Sequence, residues 1–163
     1  DQICDDLEAE TAALTAVVGD LTEEQWRAPT VAEGWDSHET ILHLGAADRF
    51  AHLTLTDPAS FAVEHHRLSA GEISLNGLIG PEVPALSGRD LWQGSSRAGE
   101  MVGALRRLGP KDRIAWIGPE IGAKSMATGR LMETWTHSHD LADTFGLDCP
   151  QTDRFRDIAI SEL

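Results

Sequence analysis

The segment LMETWTHSHD, residues 131–140, sets a glutamate, two histidines and an aspartate among leucine and tryptophan. On a helix with Glu133 at zero, about 100° per residue puts His137 at about +40° and Asp140 at about −20°. Leu131, Trp135, Leu141 and Phe145 fill the adjoining arc, and Thr136, His139 and Asp143 lie on the other side. The Glu133–His137–Asp140 stripe therefore borders an apolar face. Burying a bare carboxylate costs on the order of several kcal/mol, so such groups are normally paired or bound to a metal. Glu and His at i and i+4 can converge on one ion, although a surface Glu–His pair has the same spacing.

A second source of ligands lies upstream. On a helix beginning near Asp36, with His43 at zero, Ala46, Ala47, Phe50 and Leu53 fall within about 80°, and Leu42 and Leu44 flank at about 100°. His43 thus occupies the middle of an apolar stripe, where a lone histidine is usually a hydrogen-bonded core residue. Together with Glu133 and His137 it makes a three-ligand set from two helices, suited to a divalent metal with an open position. His38, about 220° from His43, and His52, His65, His66 and His139 are expected at the surface. Asp140 is a candidate acceptor orienting an imidazole N–H, or else a surface carboxylate. Arg130, at about +60° from Glu133, is a candidate anchor for a substrate carboxylate, or else a salt-bridge partner. Trp35, Trp116 and Trp135 are candidates for the pocket wall or for core packing.

The elements that must position these residues read as an all-α chain. Ile3, Leu7, Ala13, Leu14, Val17 and Val18 predict a helix over 3–19, stopped by Gly19. Thr22 caps a short helical turn over 21–26, and residues 27–35 form a loop. Asp36 with Glu39 resembles a capping box opening a helix to about Leu55, ended by "TDP" at 56–58. "SFAVEHHRL" (60–68) reads as a short helix and "GLIGPEVPALSG" (77–88) as a loop. Residues 88–108 read as a third long helix. Residues 109–122 form a connector too short for a sheet, with "RIAWI" extended. Residues 123–145 form the fourth long helix, ended by Gly146. "TDRFRDIAISEL" (152–163) opens a further helix without a closing cap, so the native chain is expected to continue past Leu163. Residues 1–163 are read as one domain, a bundle of four main helices.

These residues also carry a resemblance. "GWDSHETILHL" (34–44) resembles the Trp-x-x-x-x-x-x-x-His-Leu signature of the DinB-like superfamily, and "ETWTHSHDL" (133–141) the Glu-x-x-x-His-x-x-Asp signature of its mycothiol-dependent maleylpyruvate isomerase branch. "WIGPEIGAKSMATGRLMETWTHSHDLAD" (116–143) is similar to a subgroup described as metal-binding proteins related to that isomerase. The resemblance implies a DinB-like four-helix bundle with a zinc site at His43, Glu133 and His137. It also implies a relation to enzymes that use the small thiol mycothiol, either isomerases or thiol transferases. The isomerase has a second, C-terminal domain that helps shape its pocket, which these 163 residues do not include. The expected partners are a small electrophilic substrate and a low-molecular-weight thiol. A metal-dependent hydrolase and a non-catalytic metal-binding protein are the alternatives.

Composition narrows the classes further. A net charge of −14, from 27 acidic and 13 basic residues, disfavours nucleic acid and anionic membrane as partners. No apolar run approaches the ~20 residues of a membrane span, and the acidic start "DQICDDLEAE" lacks a signal-peptide pattern. A cytoplasmic protein is expected. Cys4 and Cys149 form no CxxC pair, so a thiolate metal site is not expected, and two free thiols are the simpler reading.

Overall fold

The computed structural model describes residues 2–79, 87–95, 97–109, 111–149, 152–154 and 156. Seven α-helices run in chain order among these residues: α1 Gln2–Gly19, α2 Glu23–Trp26, α3 Ser37–Thr56, α4 Pro58–Ser69, α5 Gly88–Ser95, α6 Ala98–Leu105 and α7 Ala123–Phe145. A 3₁₀ turn spans Asn76–Ile79. Two antiparallel two-residue strands, β1 Arg113–Ile114 and β2 Ile121–Gly122, lead into α7. The result is an all-α bundle, as the sequence predicts.

The expected caps are present. Thr22 and Gln25 form a capping box on α2. Asp36 and Glu39 form one on α3, with Glu39 N–H donating to Asp36 Oδ1 at 2.7 Å and Asp36 N–H donating to Glu39 Oε2 at 3.1 Å. That box fixes the start of α3 about two turns before His43. Asp57 closes α3 and caps α4, with Pro58 at its first turn. At the far end Gly146 takes the left-handed conformation, φ 63° and ψ 35°, and terminates α7.

Two expectations change. The single helix read over 88–108 is two helices, α5 and α6, because Arg97 leaves the helical region at φ −113° and ψ 13°. The residues around that break, Gly94, Ser95 and Ser96, are poor helix formers that compete for backbone groups or carry extra chain entropy. The connector over 109–122 is not one extended stretch but closes a minimal hairpin, Arg113 opposite Gly122 and Ile114 opposite Ile121. Part of the loop read over 77–88 and most of the helix read over 152–163 lie outside the described residues.

α1 packs along α7, while α3 is contacted by α4, α5, α6, α7 and the 3₁₀ turn. One core joins Ile3 and Leu7 of α1 to Met126 and Leu131 of α7; a second joins Leu14 and Val17 to Ile41, Leu44 and Leu141. Each such buried leucine or isoleucine contributes roughly 1.5–3 kcal/mol of transfer free energy. Because α3 is surrounded, residues on almost all its sides are buried. His38, expected at the surface, is accordingly 2 % exposed. No helix among the described residues is long and apolar enough to cross a membrane.

Candidate metal centre

α3 and α7 bring His43, Glu133 and His137 together. The Nε2 of His43 lies 3.1 Å from Glu133 Oε2, and the Nε2 of His137 lies 3.7 Å from the same oxygen. One ligand atom from each residue falls within 4.8 Å of the other two. Zinc bonds of ~2.0–2.2 Å at tetrahedral angles require ligand atoms about 3.3–3.5 Å apart. The two histidine–Glu133 spacings lie near that range, and two imidazoles with one carboxylate are a usual zinc combination. All three side chains are partly buried, at 20 %, 32 % and 14 % exposure respectively, so they sit at the rim of the bundle.

The hydrogen bond from His43 holds the Glu133 carboxyl below its ordinary value; burial opposes this shift, and Arg130, His43 and His137 add attraction. His137 Nδ1 lies 2.9 Å from Asp140 Oδ2. A carboxylate can only accept, so Nδ1 is the donor in this contact, and Nε2 is the ring nitrogen turned toward Glu133.

Trp35 covers this set. Its ring stacks on His137 at 5.6 Å and 21° and tilts against His43 at 4.9 Å. The loop holding it is pinned at several points. Pro29 pairs with Asp36, Thr30 N–H donates to the Trp35 carbonyl at 2.9 Å, and Val31 N–H donates to Thr144 Oγ1 of α7 at 3.0 Å. Gly34, at φ 85°, makes the turn just before the tryptophan.

A cavity of about 300 Å³ adjoins His43 and Glu133. Its walls are mainly apolar and include Trp116 and Ile117 from the hairpin loop, which Thr54 holds by donating to the Ala115 carbonyl at 2.8 Å. Arg130 also lines the cavity. Its Nε donates to Asp48 Oδ1 at 2.9 Å, and both side chains are buried, at 4 % and 6 % exposure. Burial pushes the Asp48 carboxyl up, and the Arg130 guanidinium pulls against that shift.

A family model for the mycothiol maleylpyruvate isomerase N-terminal domain matches residues 7–142. The chain belongs to this DinB-like family. Two uncharacterized proteins of Mycobacterium tuberculosis, one from each of two strains, are 38 % identical to it over 157 residues, which is 94 % of this chain and 60 % of each relative. The chain thus spans about three fifths of the length of the curated relatives it matches. No solved structure matches it.

Of the other residues singled out in the sequence, Asp140 contacts His137 as described. Trp116 lines the cavity, while Trp135 packs on His139 at 4.3 Å. His52 pairs with Glu100 at 3.6 Å, and His65 stacks on Phe61 at 5.6 Å. Asp48 was not foreseen. Its one signal was an acid set between Ala47 and Phe50 on an apolar helix, a position that demands a buried partner.

Asp140→Asn removes the negative charge opposite His137 Nδ1 and lets an amide donor face it. Metal affinity is expected to fall roughly 10–100-fold, with the ion still bound at saturation. Competition against a chromophoric chelator measures this. An unchanged affinity removes Asp140 from any part in the site.

Proposed function

We propose that this chain forms the zinc- and thiol-binding part of a mycothiol-dependent isomerase or thiol transferase that acts on a small electrophile. The observation that carries this reading is the convergence of His43, Glu133 and His137 beside a mostly apolar cavity. A divalent ion held there supplies Lewis-acid chemistry and lowers the pKa of a coordinated thiol. Two neutral imidazoles and one carboxylate would leave a dipositive ion with a net charge near +1, which favours an anionic ligand such as a thiolate. His137, oriented by Asp140, and Glu133, kept ionised by its neighbours, hold that charge at the cavity edge. Trp35 packs on His137, and mainly apolar side chains line the adjoining cavity.

The chain's own thiols are poorly suited to the chemistry. Cys4 is buried among Ile3, Leu7 and Met101. Cys149 lies against Ser138 and His139 beyond the end of α7. Burial pushes both thiols above their ordinary value, away from the thiolate form. The reacting thiol must therefore come from outside the chain, as the family's mycothiol does.

Cobalt substitution tests this. Adding mycothiol to the cobalt-loaded protein is expected to produce a sulfur-to-cobalt charge-transfer band, and the His137→Ala protein should give none. If mycothiol leaves the spectrum unchanged while an activated ester is hydrolysed in a metal-dependent way, a hydrolase replaces this reading.

A further inference from the structure

A metal-ligating imidazole normally has its second ring nitrogen tied to an acceptor, which fixes the ring plane and aims the first nitrogen at the ion. His137 has such a partner in Asp140, 2.9 Å from Nδ1. His43 differs. Among the described residues its one hydrogen bond uses Nε2, 3.1 Å from Glu133 Oε2. That nitrogen is the one turned toward the other ligands, so an ion bound there displaces the bond. No hydrogen bond among the described residues then holds the ring at Nδ1, and the outer torsion of a histidine is broad. What touches the ring is Trp35. Its indole tilts against His43 at 4.9 Å and 60° and stacks on His137 at 5.6 Å and 21°. The two imidazoles meet edge to face at 5.5 Å, so each of the three rings packs on the other two. Trp35 stands two residues before α3, in a loop whose Val31 N–H donates to Thr144 Oγ1 of α7 at 3.0 Å. The Thr144 hydroxyl donates in turn to the Asp140 carbonyl at 2.6 Å. Val31 is 59 % exposed, so this hydrogen bond, rather than burial of its side chain, ties the loop to α7 at that point.

We propose that Trp35 is the positioning residue for His43, supplying by ring packing the restraint that Nδ1 lacks, and that Thr144 sets Trp35 by anchoring its loop. This rests on reading His43, Glu133 and His137 as a metal centre, and it adds two residues that give the ion no ligand atom. Thr144 acts on the centre through the loop, although it lies seven residues beyond His137 along α7.

Zinc affinity of the whole chain is measured by competition with a chromophoric chelator, beside a thermal melt. Trp35→Ala is expected to weaken zinc ~10-fold or more, the scale of losing an orienting partner. Trp35→Phe keeps a ring against the imidazoles and should stay within a few-fold of wild type. Thr144→Val keeps the volume but removes the hydroxyl, and should weaken zinc roughly 3-fold or more. Made in the Trp35→Ala protein, the same change should add nothing, because the loop no longer carries the ring. Wild-type affinity in Trp35→Ala overturns the proposal. So do equal losses in Trp35→Phe and Trp35→Ala, which mark a merely structural role, and additive losses from Trp35→Ala and Thr144→Val. A second readout needs no metal. In proton NMR of the metal-free chain, the indole ring current should displace the His43 ring-proton resonances, assigned by their loss in His43→Ala. Trp35→Ala should return them to ordinary histidine positions. If Trp35→Ala does not fold, Thr144→Val decides: the displacement shrinks if Thr144 sets the ring, and an unchanged displacement with unchanged zinc affinity overturns the proposal. If wild type binds no zinc, the metal reading fails, while displaced His43 resonances still support the ring packing. His43 resonances at ordinary positions in a wild type that does bind zinc leave the metal reading standing and overturn this proposal.

Discussion

Replacing His43, Glu133 or His137 by alanine, one at a time, is expected to abolish stoichiometric metal binding and leave the helical circular dichroism in place. Each residue gives one ligand atom to a cluster no wider than 4.8 Å, and the proposed centre has three protein ligands. Removing one leaves two, too few to hold the ion against dialysis. The loss should exceed the roughly 10–100-fold expected for an outer hydrogen-bond partner such as Asp140. The fold should survive because these side chains sit at the rim. The helices that carry them are anchored by Leu131, Leu141, Ile41 and Leu44, all at most 2 % exposed. Losing His43 also strips Glu133 of its hydrogen bond, but at 32 % exposure water can take that place. Elemental analysis of dialysed protein, with a thermal melt of each variant, measures both halves. Wild-type protein purified in zinc-containing buffer without chelator and still free of metal would sink the idea.

The clustering of His43, Glu133 and His137 is legible because these residues lie at helical spacing on two well-punctuated helices. Asp36 and Glu39 announce the start of α3, Gly146 announces the end of α7, and the interval between Glu133 and His137 puts both on one face. The contact of Asp140 with His137 follows from the same periodicity. What periodicity cannot give is which neighbour each face meets. His38 looked exposed because it lies opposite His43, but other elements pack around nearly all of α3. Asp48 finds its partner 82 residues away, and nothing local to "GAADRF" says so. Trp35 reaches the histidines only because its loop is tied to Thr144, 113 residues from Val31. Gly94 and the serines weaken the helix between α5 and α6, although the apolar spacing across 88–108 suits a single helix.

Asp48→Ala is expected to destabilise the protein by about 3–5 kcal/mol, because it leaves the Arg130 guanidinium buried without its counter-charge. For a chain of 163 residues this corresponds to a fall in Tm on the order of 10 °C. The size of the effect comes from the burial of both partners, 4 % and 6 % exposed, at a separation of 2.9 Å. An exposed pair such as Arg97–Glu100, at 47 % and 55 %, should by contrast be worth less than about 1 kcal/mol. The double replacement Asp48→Leu with Arg130→Met removes both charges and restores apolar volume. It should recover most of the loss, since a well-packed apolar pair is often as stable as a buried ion pair. Thermal or urea unfolding of Asp48→Leu, Arg130→Met and the double variant closes a cycle whose coupling term measures the pair directly. Additive losses would show that the two side chains do not act as a unit. A large coupling would show that this pair costs little to replace but much to break.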